Sequence, residues 1–248
     1  MMIESNLLTY ILVKKDDLEE NDLAQMLHLM QNHYSHVTEM MFLHDLLEKD
    51  FVGIIRDKNS DIQGFTTFVI NPKNCAGRDY NILFSGDTII DEKHWGSLIM
   101  MKGWSMSVGS IVASDSDKPW YWYLMSKGHR TYLYLPFYFH SYYPSIHPQS
   151  DYGTLAQIAD EVSRNLFGDD WKPDEGLIRF KEHHGALNPA LSEATFRKIK
   201  HTYVKFFLEK NPAFYDGNEL VCIAQLSQEN ILRSARQYFI EGTNLKLP

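Results

Sequence analysis

Chemistry is easiest to place in this chain where backbone can grip an anion. Residues 79–90 form an apolar, β-branched run interrupted at Ser85 and Gly86, the pattern of a strand with a bulge or bend. Polar Asp91 to His94 follow, then Trp95, Gly96 and Ser97. In residues 97–114, Leu98, Met101, Trp104, Val108 and Ile111 recur at helical spacing. A strand, a tight turn and a helix entrance put unpaired N–H groups and the positive end of a helix dipole at one point, where a phosphate or carboxylate binds. An ordinary strand–helix–strand unit with nothing at its helix entrance has the same pattern. Arg130 comes soon after an aromatic strand at 118–126. It can pair with a phosphate or carboxylate, or sit exposed at a helix end.

The neighbouring aromatic residues offer a surface for an apolar group. Trp120, Tyr121, Trp122, Tyr123, Tyr134, Phe137 and Phe139 could line a wide cleft, and packing between a sheet and later helices explains them equally well. Other constellations are missing. The sequence has no G-x-G-x-x-G, no G-x-x-x-x-G-K-[ST] and no G-x-S-x-G. His183 and His184 are adjacent, a spacing that rarely lets both ligate one metal, and no H-E-x-x-H is present, so no metal is expected. Cys75 and Cys222 match no metal or redox spacing and suggest a reducing, cytoplasmic setting. Cys222 lies in an apolar strand, which suits burial better than nucleophilic attack.

The totals bound the rest. A chain of 248 residues buries roughly 70–75% of its unfolded surface. With 44% hydrophobic and 23% charged residues, its composition is that of a soluble globular protein. A net charge of −8 argues against a nucleic-acid-binding surface. Arg197, Lys198, Lys200, His201 and Lys205 nevertheless gather on one predicted helix, as a solvated face or an anion-binding one. The first residues lack a basic segment followed by an apolar core, and no apolar run approaches about 18 residues. Neither export nor a membrane span is expected.

In chain order, the spacing predicts a strand at 7–13, helices at 20–33 and 37–49, and strands at 51–56 and 62–70 joined by a tight turn. The strand at 79–90 continues this meander, and helix 97–114 carries the chain to the strand at 118–126. Prolines and polar residues at 145–152 read as a linker, dividing residues 1–150 from a mainly helical elaboration at 151–248. That second part should hold helices at 154–166, 192–210 and 228–240 and a late strand at 219–226.

In this order the elements over about residues 7–143 resemble the GNAT superfamily of acyl-CoA-dependent N-acyltransferases. The resemblance implies a mixed α/β (α+β) fold with a mostly antiparallel sheet flanked by helices. It also implies a bulged central strand, and a loop and helix entrance that hold the pyrophosphate of coenzyme A or an acyl-CoA. The bulge falls near Ser85, Gly86 and Asp87. The loop maps to Lys93, His94, Trp95, Gly96 and Ser97, with Lys93 in the place of the family's Gln or Arg and Gly96 in that of its middle glycine. Leu98 stands where the family has a small residue.

Acyl transfer to an amine needs a base for the amine and a donor for the departing thiolate. The resemblance implies Asp87 as the base and Tyr142 or Tyr143 as the donor, with Ser126 or Tyr132 as alternatives. Ser126 and Arg130 join the cofactor-binding set. The expected partners are a small-molecule acyl donor and an unidentified acceptor, with an oligomer possible. The alternative is a GNAT-like protein that binds a ligand or partner without transfer.

Overall fold

The computed structural model describes residues 2–5, 7–71, 79–181, 186–187, 193 and 198–248. The chain opens with an antiparallel pair, β1 (Met2–Ser5) and β2 (Leu8–Lys14). Helices α1 (Glu20–His33) and α2 (Glu39–Leu47) follow, on either side of a two-residue strand, β3 (Tyr34–Ser35). The Thr38 hydroxyl starts α2 by accepting from the Met41 N–H at 3.2 Å. Strands β4 (Phe51–Asp57), β5 (Ile62–Ile70) and β6 (Asn81–Ile90) form an antiparallel meander. Helix α3 (Ile99–Ser114) then crosses to β7 (Trp120–Ser126), which runs parallel to β6.

After β7 come two short helices, α4 (His129–Tyr132) and α5 (Tyr134–Tyr138), and a long one, α6 (Tyr152–Phe167). The remaining elements are β8 (Trp171–Lys172), β9 (Leu177–Ile178), β10 (Ala186–Leu187), α7 (Thr202–Lys210), β11 (Glu219–Gln225) and α8 (Arg233–Thr243). The strands of the main sheet lie in the order β1-β2-β4-β5-β6-β7-β11-β9-β8, while β10 pairs with β3 apart from it. Among the described residues, every pairing except β6–β7 is antiparallel. This is the mixed, mostly antiparallel α/β arrangement expected from the sequence.

Alternation along the strands sorts the core into two faces. Leu83 of β6, with Trp122 and Leu124 of β7, points to the face covered by α3, α7 and α8. Ile82 and Tyr123 point to the other, where α6 covers one half and α1 and α2 cover the other. Helix α3 is apolar almost all round because the sheet flanks one side and α8 the other. The two helices meet backbone to backbone: a Cβ on Gly109 would lie 2.0 Å from the Phe239 carbonyl oxygen, and one on Gly242 2.1 Å from that of Met106. This contact fixes α3, and with it the helix entrance that faces the site.

Two helices differ from expectation. Among the described residues, the helix expected at 192–210 is helical from Thr202, after a turn at 198–200. Residues 192 and 194–197 lie outside the described residues, as do Cys75, His183 and His184. The last helix begins at Arg233 rather than 228 because the preceding segment is held as a turn. There the Asn230 side chain accepts from the Ser141 N–H at 2.8 Å and donates to the Ser141 and Gln225 carbonyls at 2.9 Å each. Among the described residues no helix is long and apolar enough to cross a membrane.

Candidate active site

Strands β6 and β7 pair only from Asn81 with Trp120 to Phe84 with Tyr123. Beyond that point they part, and their C-terminal halves share no ladder. The cause is a bulge in β6. Phe65 pairs with Ile89 and Thr67 with Gly86, so Asp87 and Thr88 together face Thr66. Such an insertion bends a strand and increases its twist. Asp87 takes φ 44° there, a left-handed conformation that Asp tolerates better than most side chains. Where the strands separate, the Trp122 indole donates to the Ser85 hydroxyl at 2.6 Å. Trp104 and Phe139 back that indole at 4.6 and 5.6 Å between ring centres.

The opening leads into a cleft of about 770 Å³, which Ser85 to Thr88 line from β6, Met125 from β7, and parts of α1, α2 and α6 from above. Asp87 is 25% exposed there, and Lys49, just past α2, is 5% exposed. The Lys49 Nζ lies 2.9 Å from Asp45 and 3.8 Å from Asp87, and over the Phe84 ring at 5.6 Å. Burial works against the Lys49 charge, but Asp87 and Asp45 outweigh it and hold the ammonium above its ordinary range. Burial pushes the Asp87 carboxyl up. Lys49 draws it down and Asp45 raises it again, leaving it at about 6. The Thr67 hydroxyl also donates to Asp87 Oδ2 at 3.3 Å. The corner therefore holds a charged lysine beside a carboxyl that changes protonation near neutral pH, the property a general base needs.

The other end of the opening is the entrance of α3. Asp91 Oδ1 accepts from the Lys93 N–H at 3.0 Å, and Lys93 itself is exposed, with its Nζ 3.4 Å from Asp91. His94 closes a short 3-10 turn, and Gly96 takes φ 93° with open space where a Cβ would stand. Ser97 Oγ accepts from the Ile99 N–H at 3.3 Å. Trp95 donates its indole N–H to the Ile90 carbonyl at 3.1 Å and carries the Arg130 guanidinium 3.6 Å above its ring. The loop after β6 and the start of α4 after β7 thus meet across the mouth of the opening. The helix entrance and the Arg130 guanidinium, stacked on Trp95, are brought to the same side of the opening, and both are groups of the kind that can hold an anion.

Three expected residues sit elsewhere, and so does one alternative. Ser126 is fully buried and contacts Cys222 Sγ at 3.8 Å across the β7–β11 pair. Tyr142 is buried in the core on the α3 side, its ring 6.5 Å from that of Tyr132. Tyr143 bridges to Ile223 through its backbone, with its ring against Tyr152 at 5.2 Å. Tyr132, the alternative, donates to the Pro144 carbonyl at 3.0 Å. None of these four lines the cleft.

Sequence reasoning missed the charged residues of the cleft, and named Tyr134 only as one of several aromatic residues that could line one. Lys49, Asp45, Lys127 and Glu219 line the cleft, and Tyr134 lines a small apolar cavity with Thr88, Met101 and Trp122 at the opening. Burial raises the Tyr134 hydroxyl to about 12, helped by Tyr138 and opposed by Arg130. Helical spacing placed Lys49 at the end of a helix but gave no sign that the next strand would fold it inward. Among the described residues, no three His, Cys, Asp or Glu side chains come together as metal ligands.

No protein-family model matches the chain, and no curated protein does. Solved structures with a similar fold include the GNAT family N-acetyltransferase YhbS from Escherichia coli, in complex with CoA. It is 13% identical over 53% of this chain and 69% of that one, with a TM-score of 0.38. An acyl-CoA N-acyltransferase from Pseudomonas aeruginosa is 15% identical over 51% of this chain and 84% of its own, with a TM-score of 0.39. The ribosomal-protein-S18-alanine N-acetyltransferase from Escherichia coli is 12% identical over 57% and 86%, with a TM-score of 0.37.

Proposed function

We propose that this protein is a GNAT-like acyltransferase that moves an acyl group from a coenzyme A thioester directly to an amine. One observation carries this reading. A bulge parts two parallel strands and sets a carboxyl that titrates near 6 in a deep cleft, at one end of an opening whose other end is the entrance of the crossover helix. Edge backbone of β6 and β7 beyond Phe84 and Tyr123 is free of a mutual ladder, as an extended amide-bearing arm requires. The first-turn N–H groups of α3 and the Arg130 guanidinium would take the diphosphate.

At neutral pH Asp87 is mostly ionised and takes the proton that the acceptor ammonium must lose. The freed amine attacks the thioester carbonyl, the carbon–sulfur bond breaks, and Tyr134 gives the departing thiolate its phenolic proton. The high pKa of Tyr134 keeps that proton in place until sulfur leaves. Lys49 holds Asp87 ionised and oriented without touching the reacting atoms. A ligand-binding protein without transfer is the second reading. Trp95 favours it, because its ring already covers one face of Arg130.

Calorimetric titration with coenzyme A and acetyl-CoA tests the proposal, with Gly96→Trp as the site control. Saturable binding that is lost in this variant, together with amine-dependent release of free thiol, is the expected result. Binding without thiol release for any amine supports the second reading, and no binding by folded protein refutes the acyltransferase and turns the search to another ligand or a partner.

A further inference from the structure

On the acyltransferase reading, the cleft also selects its acceptor. We propose that the acceptor is an amphipathic amine, a primary ammonium on an apolar and preferably aromatic body, and that amines bearing a phosphate or carboxylate are rejected.

The charged groups lining the cleft among the described residues are the carboxylates of Asp45, Glu48, Asp87 and Glu219 and the ammoniums of Lys49 and Lys127. Both ammoniums are engaged. Lys49 lies 2.9 Å from Asp45 and 3.8 Å from Asp87, and Lys127 lies 3.3 Å from Glu219. An entering phosphate or carboxylate would lose hydration in a site with an acidic excess and with its cations already paired. An entering ammonium meets the opposite field.

The way the cleft holds its own lysines shows the chemistry it offers. Each ammonium sits against a carboxylate and over an aromatic ring, Lys49 over Phe84 at 5.6 Å and Lys127 over Tyr34 at 5.7 Å. Large apolar side chains, Met41, Phe42, Met125, Phe167 and Phe180, stand around the same space beside the polar His44, Thr131 and Asn165. Methionine side chains adapt to varied shapes, and aromatic faces suit a flat body. A volume of about 770 Å³ is far more than an ammonium group fills. A polyamine without an apolar body would satisfy the charge and leave these walls wet.

Three probes separate the possibilities by calorimetry on the full chain at pH 7.5, each with coenzyme A present: phenethylamine, phenylacetate and putrescine. Phenethylamine is expected to bind saturably and at least about tenfold more tightly than either of the others, a difference of about 1.4 kcal/mol. Glu219→Gln should weaken phenethylamine several-fold and leave coenzyme A binding unchanged. If that variant does not fold, Glu48→Gln, an exposed change at the cleft rim, should weaken it in the same direction. Equal or tighter binding of phenylacetate or putrescine overturns the proposal. So does absence of phenethylamine binding by protein that binds coenzyme A, which leaves the acyltransferase reading intact. Failure of coenzyme A itself to bind removes that reading, and the acceptor proposal with it.

Discussion

Replacing Asp87 with Asn should make this protein more stable at neutral pH while removing its proposed base. The ordinary Asp carboxyl titrates at 3.8, and this one titrates at about 6 in the fold. Below pH 4 it is neutral in both folded and unfolded chains and contributes little. Between pH 4 and 6 the fold keeps a proton that the unfolded chain releases, so stability falls as pH rises. Above pH 6 the whole penalty is present, about 3 kcal/mol for a shift of about two units at 1.4 kcal/mol each. Asp87 is a quarter exposed, so solvent screening lowers the expected gain to about 1.5–3 kcal/mol. Asn also suits the left-handed backbone at this position, and Asp45 still holds Lys49 at 2.9 Å. For a chain of this size the gain is about 3–12 °C in Tm. Differential scanning calorimetry of both proteins at pH 4 and pH 7.5 reads it directly. An advantage near zero at pH 4 that appears by pH 7.5 is expected. Equal or lower stability of Asp87→Asn at pH 7.5, or an advantage that does not change with pH, would refute the reasoning.

Three other changes test separate parts of the argument. Lys49→Met leaves the Asp45 and Asp87 carboxylates together without their cation, and breaking a buried pair in this way costs about 3–5 kcal/mol. The loss should be smaller at pH 5, where Asp87 takes up a proton, and a loss independent of pH in chemical denaturation would contradict it. Tyr134→Phe should lower kcat for transfer by about 10²-fold with KM little changed; an unaltered kcat removes Tyr134 as the proton donor. Gly109→Ala drives a methyl into the Phe239 carbonyl, against backbone that cannot swing away. Overpacking of this kind costs about 1–3 kcal/mol, and a Tm equal to that of the unchanged protein would show that α3 and α8 are not in the close contact described.

The meander and the crossover were legible because their signals are local. Short apolar runs at 51–56 and 62–70 and the turn between them specify a hairpin without knowledge of the rest, and α3 announces itself by helical spacing. The bulge was legible within a residue or two because Ser85 and Gly86 interrupt an otherwise apolar strand. The short strands β8 and β9 were harder. Each is two residues long, too short for a pattern, and Leu177 and Ile178 pair with β8 and with β11 only after the chain has folded back. The start of the last helix was misjudged because the Asn230 side chain, not backbone propensity, decides where that turn stops.

The site was legible in part for the same reason. Asp87 and the loop before α3 belong to one continuous stretch, so their proximity follows from sequence distance. Lys49 lies between Glu48 and Asp50, where three charges in a row read as a solvated helix end. Only the turn into β4 carries it beneath α2 and against β6. With 14 tyrosines in the chain, residue type alone cannot separate Tyr134 from Tyr142. Depth separates them, since α5 delivers Tyr134 to the opening while the backbone pairing of Tyr143 with Ile223 draws its neighbour into the core. The arrangement at Asp87 also has a physical cost that packing does not demand. Replacing a buried cluster of charges by apolar side chains is often neutral or stabilising, and Phe84 and Met125 already supply apolar walls on both sides. A lysine and two carboxylates kept at that corner, with one carboxyl pushed towards neutral pH, are better explained by work on a proton than by the stability of the sheet.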